Sequence, residues 1–162
     1  MKTIPIQHHF PTNKFNKQLI PVRSFDHYVG LHVDGKHIYE QATPRWEYAV
    51  CLSPFDEFAQ ISFVNGIYTS KGGKHVDYII NKIVRKLVGL IEKKKKTTVK
   101  GTTIKEQLML FVNCIIENPS FDSQIKDYMS TPVAQFGSAC TISDKFIDKV
   151  SKLGIMEVAL SL

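Results

Sequence analysis

The stretch that decides the fold runs from Gln60 to Lys96, QISFVNGIYTSKGGKHVDYIINKIVRKLVGLIEKKKK. Its first part, Gln60 to Thr69, is apolar and β-prone, carrying Ile61, Phe63, Val64, Ile67 and Tyr68. Ser70, Lys71, Gly72 and Gly73 then break the pattern, as small polar residues and glycines do at a turn. From His75 the apolar spacing becomes helical. Val76, Ile79, Ile80, Ile83, Val84, Leu87, Leu90 and Ile91 fall on one stripe, which predicts a long amphipathic helix over about Lys74 to Lys93. The helix runs into four consecutive lysines, Lys93 to Lys96. Strand, turn, helix and cationic tip follow one another without a linker.

Working outward, 162 residues of which 43% are hydrophobic suffice for one substantial core and exclude a disordered chain. No apolar run reaches the length of a bilayer span. The opening MKTIPIQHHFPTNK has no apolar segment followed by a small-residue cleavage site, so no secretory signal is expected. Cys51, Cys114 and Cys140 are odd in number, widely spaced and without a CxxC pair, which fits reduced thiols in an intracellular compartment. His8 and His9 are adjacent, so their side chains diverge, and no cysteine or acid sits at ligand spacing; no metal site is expected.

The net charge of +6 is unevenly distributed. Residues 82 to 105 hold nine basic residues (Lys82, Arg85, Lys86, Lys93, Lys94, Lys95, Lys96, Lys100 and Lys105) against Glu92 alone, a local charge of +8 that leaves −2 for the remainder. Such local basicity points to a polyanion contact. Aromatic residues do not interleave with these lysines, so stacking on bases is not expected.

The remaining elements follow in order. Met1 to Gln18 is polar and broken by Pro5 and Pro11, with a short strand expected near Phe15 to Ile20. Residues 1–19 read as a leader, or the tail of a preceding domain, and 20–162 as one domain. Val22 to Val33 predicts a helix of about two to three turns, with Phe25, Tyr28, Val29 and His32 at helical spacing. Asp34-Gly35 is a turn, Lys36 to Gln41 a strand, and Arg45 to Leu52 a strand with Trp46, Tyr48 and Val50 on one side and Glu47, Ala49 and Cys51 on the other. Phe58 to Thr69 reads as a third strand, and the short connections imply an antiparallel meander. Asn65 and Asn113 then lie inside apolar strands, where burial demands hydrogen-bond partners. Ile104 to Leu108 is expected to form a short helix capped by Thr102 or Thr103, and MLFVNCII (109–116) a strand buried on both faces. Ser120 to Thr131 is polar with no clear period, and Ala139 to Ile142 is expected as a short strand. Ser143 caps a helix carrying Phe146, Ile147, Val150 and Leu153, and a helical restart is expected from Ile155 to Leu162. The apolar end without a stop signal implies a C-terminally truncated domain.

Several long segments resemble the transducer region of eukaryotic-type DNA topoisomerase II, the second domain of the ATPase part of type IIA topoisomerases, akin to gyrase B. They are IPVRSFDHYVGLHV (20–33), RWE (45–47), QISFVNGI (60–67), TSKGGKHVDYI (69–79), FVNCIIENPSFDSQIK (111–126) and FGSACTIS (136–143), in the right order. The resemblance implies an α+β fold: a small mixed or antiparallel sheet backed by helices, with a left-handed β-α-β crossover. It also implies a role in relaying ATP binding and hydrolysis to DNA strand passage. ATP and Mg2+ would be held mostly by an upstream domain, with duplex DNA as partner, a homodimeric whole enzyme, a nuclear location, no membrane association, and no activity of this chain alone.

Two groups of candidate residues follow from the resemblance. In the family a Gln-Thr-Lys loop reaches the ATP of the neighbouring domain, and its lysine contacts the terminal phosphate. Here the loop is Gln124-Ile125-Lys126, with Ile125 in place of the threonine. A mobile ammonium suits that task, because it neutralises phosphate charge and senses its presence. Spacing alone reads Lys126 as a solvated lysine in a polar loop. The second group is Lys93, Lys94, Lys95, Lys96 and Lys100, extended by Lys105, which the resemblance assigns to sequence-independent DNA phosphate contact. Read without it, this is a solvated helix end favoured by the helix dipole. The pair Gly72-Gly73 lacks phosphate-loop spacing and reads as a tight strand-to-helix turn. A free-standing basic nucleic-acid-binding module, needing no ATPase, is the alternative function.

Overall fold

The computed structural model describes residues 23–155. The expectations for 1–22, including the strand near Phe15 and the His8-His9 pair, lie outside the described residues, as does the helical restart beyond Ile155.

Helix α1 (Phe25–His32) is opened by Ser24, whose hydroxyl accepts from the His27 amide at 3.1 Å and so satisfies one orphan donor of the first turn. Strands β1 (Ile38–Thr43) and β2 (Trp46–Leu52) form an antiparallel hairpin, with its register shifted between Gln41 and Thr43. Strand β3 (Ala59–Val64) turns back at once into β4 (Ile67–Tyr68). Helix α2 (Lys74–Lys95) and the short α3 (Gly101–Lys105) lead to β5 (Leu108–Cys114). A 3-10 turn at Val133–Gln135 and helix α4 (Asp144–Ser151) complete the set. The Ser143 hydroxyl caps α4 by accepting from the Phe146 amide at 3.0 Å.

The sheet order is β1-β2-β5-β3-β4. This corrects the expected meander: β2 and β3 follow one another in sequence but do not pair, and β5 is inserted between them. It runs antiparallel to β2 and parallel to β3, and α2 lies in the crossover from β3. The fold is therefore α+β with a mixed sheet. The physical reason for the correction lies in β5. All its residues but Asn113 are buried, and a strand apolar on both faces is most stable at the centre of a sheet.

Further differences are local. The expected third strand is a tight hairpin turned at Asn65-Gly66, where φ is 51° and 82°. Asn65 is thus an exposed turn residue rather than an interior one. It still finds partners, with its amide donating to the Ile116 carbonyl and its carbonyl accepting from the Ile116 amide, both at 2.9 Å. Asn113 donates to the buried Glu47 carboxylate at 2.6 Å. Residues 139–142 form no strand, because the Cys140 backbone is bound instead by the Tyr78 hydroxyl. The short helix begins at Gly101, with Lys100 rather than a threonine at its cap.

Side chains alternate between two cores. Trp46, Tyr48, Val50, Leu108, Leu110, Val112 and Cys114 face α2, whose Val76, Ile79, Ile80, Ile83, Leu87 and Ile91 close the larger cluster. Ala49, Cys51, Phe63, Met109 and Phe111 face Phe25, Tyr28 and Val29 of α1. Each fully buried leucine or isoleucine on the α2 stripe contributes about 1.5–3 kcal/mol from apolar area removed from water.

Candidate functional site

The segment carrying Gln124 and Lys126 is an irregular hairpin. The Ser130 amide donates to the Ser120 carbonyl at 2.9 Å, and the Asp122 amide to the Tyr128 carbonyl at 3.1 Å. Between them lies a turn closed by the Lys126 amide and the Ser123 carbonyl at 3.1 Å, with Lys126 itself at φ 58°. Gln124, Ile125 and Lys126 are exposed at the tip, Ile125 to 76%. The Lys126 ammonium sits 5.9 Å from the centroid of the Phe121 ring, at the outer range of a cation–π contact.

This tip does not hang free. The Lys71 amide donates to the Asp127 carbonyl at 2.8 Å, the Met129 amide to the Gly72 carbonyl at 3.1 Å, and the Lys74 amide to the Met129 carbonyl at 2.9 Å. These bonds join the hairpin to the turn that opens α2. Gly73 must be glycine there: its φ is 153°, and a Cβ would overlap the Met129 carbonyl oxygen and lie 2.7 Å from its nitrogen. The Gly72-Gly73 turn is therefore structural, as its sequence suggests, and it is also the seat of the loop. The Asp127 carboxylate adds a second tie, accepting from Ser123 Oγ at 3.2 Å and pairing with Lys71 Nζ at 3.3 Å. Desolvation pushes its pKa up, but the Lys71 ammonium and the Ser123 hydroxyl outweigh this and hold it below the usual aspartate value.

Beneath the same turn lies a buried polar network. Ser62, Thr69 and His75 are fully buried. The Thr69 hydroxyl lies 2.6 Å from the Ser62 hydroxyl, 3.0 Å from the Ser62 carbonyl and 3.1 Å from His75 Nε2. His75 Nδ1 has no hydrogen-bond partner among the described residues. Burial pushes the imidazole pKa down to about 3, so the ring is neutral at physiological pH.

The lysine group lies at the other end of α2. A helix of 22 residues spans about 33 Å at 1.5 Å per residue, so the two candidate groups form separate sites. Lys93, Lys94, Lys95, Lys96 and Lys100 are all exposed, and Lys96 ends the helix at φ 53° with its amide bonded to the Glu92 carbonyl. The structure sorts these residues. Lys94 pairs with Asp148 of α4 at 3.4 Å, and Lys86, one flank lower, pairs with Asp144 at 3.1 Å. Lys105 turns away, its ammonium 4.9 Å from the Phe58 ring. No ion pair among the described residues engages Lys93, Lys95, Lys96 or Lys100.

Neither end offers a metal centre, since no group of three or more His, Cys, Asp or Glu side chains among the described residues is placed to hold an ion. No helix among them is long and apolar enough to cross a membrane. Sequence reasoning missed Lys71, Asp127 and Met129. The signal for Asp127 was an acid directly after the loop lysine, but its partner lies 56 positions away and no local pattern shows it.

Comparison with known proteins places the chain. The DNA gyrase B family model matches residues 13–158. DNA topoisomerase 2-alpha of Mus musculus is 45% identical over 158 residues, which is 90% of this chain and 10% of that protein. DNA topoisomerase 2 of Drosophila melanogaster is 42% identical over 158 residues, 90% of this chain and 11% of that one. Among solved structures, the ATPase region of Saccharomyces cerevisiae topoisomerase II superposes with a TM-score of 0.81 at 38% identity, covering 90% of this chain and 38% of that one. The ATPase and transducer domains of DNA topoisomerase II from Balamuthia mandrillaris give a TM-score of 0.79 at 36% identity, covering 86% and 37%. The chain thus spans about a tenth of the length of its curated relatives. These matches lend nothing to a free-standing nucleic-acid-binding module. The chain belongs to the DNA gyrase B family and is homologous to part of the ATPase region of eukaryotic topoisomerase II.

Proposed function

We propose that this chain is the transducer region of an ATP-dependent type II DNA topoisomerase, relaying the state of a nucleotide held by a neighbouring domain to DNA. The observation that carries the reading is the hydrogen-bonded seat of the Gln124–Lys126 tip on the turn opening α2, with unpaired lysines at that helix's far end. One exposed ammonium and one amide suit contact with a terminal phosphate from one side. They do not make a nucleotide site, and no carboxylate set for Mg2+ lies beside them among the described residues. ATP and Mg2+ are held mainly by the adjoining domain, where the nucleotide supplies the free energy of conformational change. Lys126 holds charge against the phosphate, and Gln124 donates or accepts beside it. Lys93, Lys95, Lys96 and Lys100 neutralise duplex DNA phosphates without reading sequence. A homodimeric, nuclear whole enzyme with an ATPase and a DNA-cleavage domain completes the proposal.

The test uses the yeast topoisomerase II ATPase region with this chain in place of its matching part. Lys126→Ala should lower ATP turnover at least tenfold, whereas turnover equal to the parent would sink the sensing role. Replacing Lys93, Lys95 and Lys96 by glutamine should remove stimulation by duplex DNA and leave turnover without DNA unchanged. Stimulation that persists would separate these lysines from DNA.

A further inference from the structure

The loop tip and the helix meet through one side chain that the phosphate contact itself does not require. Asp127 Oδ1 accepts from Ser123 Oγ at 3.2 Å, across the base of the tip, and Oδ2 faces Lys71 Nζ at 3.3 Å, across to the α2 turn. Its side chain is 12% exposed, whereas that of Lys71 is 73% exposed. The anchored partner is therefore the acid, and the lysine is the arm that reaches it. The backbone alone already joins the two segments through Asp127 O, Gly72 O and Met129 O. The backbone rungs fix the hairpin stem but not the turn above it. That turn has a single internal backbone bond, from the Lys126 amide to the Ser123 carbonyl, and places Lys126 in the left-handed region at φ 58°. A non-glycine residue keeps that conformation only where its surroundings hold it. The Asp127 carboxylate is placed for that task, since it accepts from Ser123 at the start of the turn while following Lys126 directly.

We propose that Asp127 is a positioning residue for Lys126, and that the Lys71–Asp127 pair is the joint through which force on the loop tip reaches the first turn of α2. The proposal rests on the nucleotide-sensing reading of Lys126. Lys71 and Asp127 touch no phosphate in it. They hold the tip in the conformation that presents Lys126, and they convert its displacement into a pull on the turn at Gly73, where a Cβ has no room.

Two measurements test it. In the chain itself, amide hydrogen exchange is compared for the parent, Asp127→Asn and Lys71→Ala. Both variants should speed exchange at least tenfold at the amides of Lys71, Lys74, Lys126 and Met129, with no change from Ile91 to Lys96. Unchanged protection at Lys71 and Lys74 in both variants overturns the joint. Lys71→Ala removes an exposed side chain, so it reports even where an Asp127 variant folds poorly. In the yeast chimera, Asp127→Ala should lower ATP kcat about tenfold with KM within twofold, and Asp127→Glu should restore most of it. The double variant Lys126→Ala/Asp127→Ala should be no slower than Lys126→Ala alone, because both act through one ammonium. Multiplying effects, or an Asp127→Ala enzyme at the parent rate, overturn the positioning role while leaving Lys126 its own. A Lys126→Ala enzyme at the parent rate fails the sensing reading itself, and the joint with it.

Discussion

The two ends of α2 are made of the same helix and behave as opposites. At the N-terminal end, the turn has no space for a Cβ at Gly73, a neutral histidine is sealed beneath it, and a distant loop is laced onto it by backbone hydrogen bonds. At the C-terminal end, beyond the buried Ile91, lysines stand in solvent and one surface ion pair reaches across to α4. The difference teaches that stability and charge are concentrated at opposite ends of one rod. Substitutions at the first should register in folding, and substitutions at the second in binding.

The widest separation between the ends should come from pH. The His75 pKa is lowered from 6.5 in the unfolded chain to about 3 in the fold, so between those values the unfolded state binds the extra proton. Its contribution is complete above pH 6.5 and declines as pH falls, by up to about 5 kcal/mol on reaching pH 3. Urea unfolding of the parent should lose roughly 1 kcal/mol per pH unit between pH 6 and 5, where carboxylates contribute little. In His75→Gln most of that slope should go, leaving the smaller share of His32, whose pKa burial also lowers. Next in size, Gly73→Ala should cost about 3 kcal/mol, from an unfavourable φ and overlap with Met129. Thermal denaturation checks it, and a loss under 1 kcal/mol would show that the seat is soft.

The free end should respond weakly. Gly89 lies within α2, and a Cβ added there would have nothing within 4 Å, so Gly89→Ala should stabilise the fold by about 0.5–1 kcal/mol through helix propensity alone. Smallest of all, Lys93→Gln and Lys95→Gln should each shift unfolding free energy by less than about 0.5 kcal/mol, as exposed unpaired charges do. A larger loss in either would mean that the lysines brace the helix, and the contrast between the ends would fail.

How much of this the amino acids disclose depends on the range of the interaction. The α2 stripe, the Ser143 cap and the double-sided burial of β5 are local patterns, and each appears where its period or cap residue predicts it. The hairpin at Asn65-Gly66 carries a strong local signal, but the β-prone residues on both sides of it, from Phe58 to Thr69, read together as one strand. The order of the strands is not local. Nothing between Leu52 and Ala59 says that a segment some fifty residues later will slide between them. The site divides in the same way. Lys126 and the lysine tip are visible as residues, whereas the ladder from Lys71 and Gly72 to Asp127 and Met129 exists only once the sheet is assembled.

The central position of β5 also sets an order of events during synthesis. Before Leu108–Cys114 has been made, β1-β2 and β3-β4 are two separate hairpins, and β2 and β3 each present an unpaired edge to the other. Isolated hairpins are marginal in water, and open apolar edges invite pairing with other chains. A nascent chain from which Leu108–Cys114 has not yet emerged therefore exposes both edges, and the emergence of that strand supplies a keystone that closes them at once.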